Sequence, residues 1–165
     1  MSVSNNMNAH REERGFSLIE ILITSSVLIT VVTGMVGALQ LYMRLAAGDR
    51  DKAQAASLTQ EASEALQLMR DIDWTDIEAL QEDTAYQLYW SGSVYTATTT
   101  DILLNDKYVR TFTLSTLYRD GNDNVAESGT EDENGRRVLI EVFASSTPSA
   151  IMTAELLLLN LYAPQ

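Results

Sequence analysis

The chain has 165 residues, with 11 Lys+Arg against 23 Asp+Glu and a formal net charge of −12. Phosphate backbones are bound by clustered Lys and Arg, and the only basic cluster beyond the first membrane-length segment is the Arg136-Arg137 pair, so no nucleic-acid partner is expected. Cysteine is absent and the one histidine is His10, which excludes a disulfide framework and thiol chemistry.

The first fifteen residues are polar and charged. From Ile21 to Met43 there follow twenty-three residues without a charge, and at about 1.5 Å per residue they reach about 35 Å, enough to cross a hydrocarbon core. Glu20 heads this run as its only charge. A carboxylate in lipid costs on the order of 2 to 4 kcal/mol, so an acid there needs a partner or a task, and no basic residue lies on the same stretch. A secretory signal has an apolar region of about 7 to 15 residues closed by a small-residue cleavage site; this run is longer, and only Ala46-Ala47 follows it. Arg11 and Arg14 precede the span while Arg44, Arg50 and Lys52 follow it, so charge bias sets no orientation.

The string Gly15-Phe16-Ser17-Leu18-Ile19-Glu20, leading into an apolar helix, resembles the class III signal of type IV pilins and of the pseudopilins of type II secretion and DNA-uptake (competence) systems. The resemblance implies a leader at 1–15, cut after Gly15 by a prepilin peptidase that methylates the new amino terminus at Phe16. It further implies a transmembrane half-helix at 16–43 and a pilin-like head at 44–165. Glu20 is then the residue that attracts the free amine of a neighbouring subunit as a filament grows, and such a pair is far stronger in a low dielectric than in water. Implied partners are the prepilin peptidase, other pilin or pseudopilin subunits, an inner-membrane assembly platform and membrane lipid. The implied location is a single pass of the inner membrane, leader in the cytoplasm and head outside, followed by a pilus or pseudopilus.

Loss of the leader would remove His10, two basic and two acidic residues, leaving the net charge unchanged. Without His or Cys, the usual zinc sites and Ser-His-Asp chemistry are excluded, and the remaining carboxylates, lysines and tyrosines show no catalytic spacing. No enzyme activity, cofactor or metal is expected. Two features depart from many type IV pilins: there is no cysteine pair to close a C-terminal loop, and Gly37 stands where a proline is common. An uncleaved, single-pass membrane-anchored binding protein is the competing reading from another class.

Past the apolar run, Ala55, Leu58, Ala62, Ala65, Met69 and Ile72 recur at steps of three and four, which predicts one helical stripe and a helix from about Ser17 to Ile72. A coiled-coil stalk predicts a similar stripe. Gly34, Gly37 and Gly48 each cost about 1 kcal/mol relative to Ala in a helix interior; softening on assembly and close helix packing in lipid both account for them.

After Trp74 the period changes. Thr75-Asp76-Ile77-Glu78 has capping-box spacing and predicts a short helical turn. Tyr86, Leu88 and Trp90 alternate, Ser91-Gly92 can turn, and Val94–Thr99 is a β-branched run. Tyr108–Tyr118 reads as a strand with Tyr108, Phe112, Leu114 and Tyr118 on one face; Val138, Ile140 and Val142 repeat the pattern. Ile151–Tyr162 is apolar on both faces around Leu156 to Leu159 and reads as a central strand. The fold class is therefore α+β, a long helix packed on an antiparallel sheet.

Asp120–Glu133 is acidic. Asp120, Asn122, Asn124 and Glu131 fall at positions 1, 3, 5 and 12 of an EF-hand-like loop, but Val125 occupies the place of the required glycine and no helices flank it, so a solvated acidic hairpin loop is expected. Trp74, Trp90 and Tyr95 read as core or sheet surface.

Overall fold

A single α-helix, α1, runs over Leu18–Ile72 in the computed structural model, which describes residues 17–162. The chain divides into two compact units, Met1–Ala46 and Ala47–Gln165. In the first, every described residue is exposed, including a continuous series of Leu, Ile, Val and Met side chains. A helix apolar on all sides is one whose surroundings are apolar, and this one is long and apolar enough to cross a membrane by length and composition. Five of its hydroxyls are satisfied within the helix: Thr24, Ser25, Ser26, Thr30 and Thr33 each donate to the carbonyl three or four residues back, at 2.7–3.0 Å. A Cβ added at Gly34 or Gly37 would meet nothing within 4 Å.

The second unit is α+β. Within it α1 buries Ala55, Leu58, Ala62, Ala65 and Met69, as the periodicity predicts, and also Thr59 and Leu66. Thr59 is tolerated inside because its hydroxyl donates to Ala55 O at 2.9 Å. Ile72 leaves the predicted stripe and is 56% exposed, because α1 ends there and Ile77 of the next helix fills the core instead. That helix, α2, spans Trp74–Glu78. Its cap is Asp73 rather than Thr75: the Asp73 carboxylate accepts from Thr75 N at 2.9 Å and Thr75 Oγ1 at 2.7 Å, and these bonds hold its pKa below the ordinary value.

Two antiparallel sheets follow. β1 (Gln87–Trp90) and β2 (Tyr95–Thr98) form a hairpin, while β3 (Tyr108–Arg119), β4 (Val125–Ala126), β5 (Thr130–Ala144) and β6 (Ala150–Leu159) form a sheet in the order β4-β3-β5-β6. The approach to β1 runs along the edge of β3: Tyr86 and Phe112 exchange backbone bonds of 2.9 and 2.8 Å, and Asp83 N donates to Leu114 O at 3.0 Å. Phe112, Leu114, Val138, Ile140 and Leu158 on the inner face meet Ala62, Ala65, Leu66 and Met69 in one core; Tyr108 and Val142 meet Ala55 and Leu58 in a second.

Two strand readings are corrected. β6 is an edge strand, not a central one. Its inward leucines, Leu156 and Leu158, pack against the core, but Leu157 and Leu159 on the other face remain 39% and 37% exposed, so an apolar run on both faces did not mean cover on both sides. In β3 the register shifts between Thr116 and Tyr118, so Leu117 takes the buried place and Tyr118 turns away from Phe112 and Leu114. A bulge moves every later side chain to the opposite face, and strict alternation cannot foresee it.

At one end of the second unit, Asp51 Oδ1 accepts from Lys107 Nζ at 2.5 Å and from Tyr108 OH at 2.9 Å. The bond from Lys107, then that from Tyr108, holds Asp51 below the usual carboxylate range; the bond to Asp51 holds Lys107 above the usual amine range. The first contribution is complete above the unfolded Asp pKa and is lost as pH falls through the folded one. The second is complete below the unfolded Lys pKa and is lost as pH rises through the folded one. Asp51→Asn is therefore expected to lower Tm most near neutral pH, with the gap from the wild type closing in strong acid; thermal melts from pH 2 to 8 check this, and an unchanged gap at pH 2 contradicts it.

Candidate functional site

Gly15 and Phe16 lie outside the described residues. The site begins for us at Ser17, whose carbonyl accepts from Glu20 N at 2.9 Å and Ile21 N at 3.3 Å, the position of a helix N-cap. Glu20 therefore stands in the first turn of α1. An anion there interacts favourably with the helix dipole, typically by about 0.3–1 kcal/mol at an exposed site. The spacing Ser17 to Glu20 is also that of a capping box, a signal that reading the apolar run alone overlooks.

Neither side-chain half of that box is formed among the described residues. The Glu20 carboxylate is exposed and accepts no hydrogen bond from a described residue; around it lie Ile21, Thr24, Ser25 and Leu28. Thr24, the nearest hydroxyl one turn on, donates instead to the Glu20 backbone carbonyl at 2.7 Å. No donor among the described residues occupies the acid, which stands on an otherwise apolar surface, and what it can do chemically is receive a cationic donor from outside the described residues.

The acidic segment is built differently from an ion-binding loop. Asp120 Oδ1 accepts from Asn122 N at 2.8 Å and Asn124 N at 2.9 Å, and both its oxygens lie near Asn124 Nδ2. The backbone bond from Asn124, then that from Asn122, draws the Asp120 pKa below its ordinary value. The carboxylate closes a turn, and Asp123 takes a positive φ of 65° within it. Glu131 sits in the ladder opposite Tyr118, and Asp132 accepts from Arg119 Nε at 2.6 Å. The four residues at EF-hand spacing are therefore split between a turn and a strand; among the described residues no group of three or more His, Cys, Asp or Glu could hold a metal.

The acidic segment forms the expected hairpin, with β4 paired to β3 and Arg119 as its counter-charge, also donating to Asp123 O at 3.0 Å. Gly129 closes it: with φ of 155°, an added Cβ would collide with the Arg119 carbonyl. Of the three aromatics singled out, Trp74 and Tyr95 pack against the core, and Trp90 lies against Tyr95 with ring centroids 4.8 Å apart.

No protein family, curated protein or solved structure matches the chain. Its function is read from its own residues.

If the Asp120 turn bound calcium, a hundredfold excess over the dissociation constant would stabilise the folded state by about 2.7 kcal/mol. We expect Tm to be unchanged by calcium, and Asp120→Ala to lower it equally with and without the ion, because the turn loses its acceptor. A calcium-dependent rise abolished by Asp120→Ala would contradict the reading of this segment as a closed turn.

Proposed function

We propose that the chain is a structural subunit of a filament of the type IV pilus kind, pilus or pseudopilus, processed by a prepilin peptidase and assembled through its N-terminal helix. One observation carries this reading. Glu20 is the only charge heading an exposed apolar helix, it has no partner among the described residues, and it lies five residues after Gly15 in a string that resembles the class III signal.

The physical steps follow from these residues. The apolar stretch to Met43 holds the unprocessed chain in the membrane, and the resemblance to the class III signal puts residues 1–15 on the cytoplasmic side. Cleavage after Gly15 creates a free amine at Phe16, and the carboxylate of an incoming subunit meets the amine of the one before it. In low dielectric that contact outweighs what a surface pair could supply, and an unmatched charge is penalised, so the pair selects one axial offset between two greasy helices. The second unit, with its antiparallel sheet over α1, becomes the outward surface of the fibre. The role is structural rather than catalytic.

The intact mass of protein extracted from membranes tests the processing. Loss of residues 1–15 together with addition of one methyl group is the expected result; a retained leader indicates a single-pass anchored binding protein instead. Gly15→Val should abolish cleavage, because the peptidase must fit the backbone at a position with almost no side chain, and normal shortening of that variant would remove the central claim.

Glu20→Leu separates processing from assembly. The variant should be cleaved and should remain in the membrane, yet fail to enter sheared filaments when it is the only copy expressed. Incorporation at wild-type levels would show that Glu20 sets no register.

A further inference from the structure

β6 closes one side of the four-stranded sheet, and its outer edge pairs with no strand among the described residues. Asn160 N donates to Asn134 O at 2.8 Å, and the same register places Leu158 opposite Arg136 and Leu156 opposite Val138. Antiparallel pairing alternates, so the even-numbered residues bond to β5, while Thr153, Glu155, Leu157 and Leu159 direct their N–H and C=O groups away from the sheet.

Natural edges are blunted by Lys, Pro, bulges or a covering segment. From Ala150 to Leu159 there is no Lys and no Pro, and the one register shift lies at the beginning of the strand, beyond Met152. The single charge, Glu155, is turned back to Arg137 of β5 at 3.1 Å. The opposite edge of the sheet is covered by Tyr86, Asp83 and β4. The free side of β2 spans four residues. Among the described residues, the one long unpaired ladder is β6 itself.

We propose that β6 pairs antiparallel with β6 of a second copy of this chain, about a two-fold axis at Leu156. Only registers that oppose outward-bonding residues complete the ladder. Centring on Glu155 sets two carboxylates face to face, which is destabilising. Centring on Leu156 instead opposes Glu155 to Leu157 of the partner subunit and Thr153 to Leu159 of the partner subunit. Because Arg137 lies beside Leu157 in the β5–β6 register, each Glu155 then shares a cross-strand row with Arg137 of the partner subunit, two strands away. Centring on Leu157 loses that complementarity. In the Leu156 register the two Leu157 side chains also become diagonal neighbours across the seam. The pairing requires neither cleavage nor filament formation.

The absence of cysteine makes a direct test available. Full-length chains carrying Glu155→Cys and chains carrying Leu157→Cys, distinguishable by mass, are mixed in detergent with leaders intact and oxidised. Facing residues in a strand pair lie within disulfide reach, whereas diagonal ones do not. The mixed disulfide is expected in several-fold excess over either symmetrical one. Thr153→Pro, which deletes one outward N–H and leaves the β5 ladder intact, should suppress it; Thr153→Lys serves the same purpose if the proline variant does not fold. Equal yields of all three disulfides, a dominant symmetrical one, or no cross-link between folded chains would overturn the proposal, the last pointing to a strand from another protein as the occupant.

Discussion

The second unit depends on how closely α1 lies on the inner face of the sheet. Ala55, Ala62 and Ala65 occupy the contact, all almost fully buried, and residues this small let the helix approach until Leu58, Leu66 and Met69 interdigitate with Phe112, Leu114, Ile140 and Val142. Replacing any one of these large side chains with alanine typically costs about 2–5 kcal/mol, a large part of the stability of a domain this size. The close approach also explains Arg110. It points inward from β3 between Tyr108 and Phe112, is 4% exposed, and reaches Leu58 O at 3.0 Å and the Glu61 carboxylate at 3.3 Å. Its Nε finds no partner among the described residues. A buried guanidinium so placed is poor value as a source of stability, because desolvation opposes what its bonds supply. It does fix which turn of α1 faces which rung of β3.

The legible parts of the sequence were those where one periodicity runs uninterrupted. Alternation from Tyr108 to Leu114 and from Val138 to Val142, and the three-four steps from Ala55 to Met69, each follow from a side chain's obligation to face a core. What was not legible lay where periodicity is broken or shared. The bulge after Thr116 exchanges Leu117 for Tyr118 and has no signature in composition. Asp73 is a better cap than Thr75 because its carboxylate can take both the amide and the hydroxyl of Thr75, a choice that short-range spacing leaves open. The place of β6 in its sheet could not be read because four consecutive leucines fit a central strand as well as an edge strand that leaves Leu157 and Leu159 exposed.

The candidate site was legible for the opposite reason. It rests on covalent sequence, a glycine, a phenylalanine and an acid at set distances from an apolar run, rather than on side chains brought together by folding. Structure adds to it a local fact that spacing did not supply: Glu20 belongs to the first turn of α1, where the backbone dipole favours an anion. That contribution is small beside the cost of leaving a charge unmatched in lipid, so the helix start offsets only part of that cost and leaves open why an acid is there at all.

The first unit narrows the answer. Five hydroxyls in the apolar stretch are satisfied by their own helix, the glycines at 34 and 37 touch nothing, and the remaining polar side chains, Gln40 and Tyr42, lie near its far end. A helix surface this uniform has almost nothing with which to distinguish one axial offset from another, since sliding past an equally greasy neighbour by a turn of about 5.4 Å exchanges one aliphatic contact for the next. On the proposed reading a single carboxylate breaks that degeneracy. A penalty on the order of 2–4 kcal/mol for leaving it unmatched corresponds to a preference of roughly thirty to several hundredfold for the offset that brings it to an amine. On that reading the discrimination falls to Glu20, because the rest of the apolar surface is too uniform to provide it.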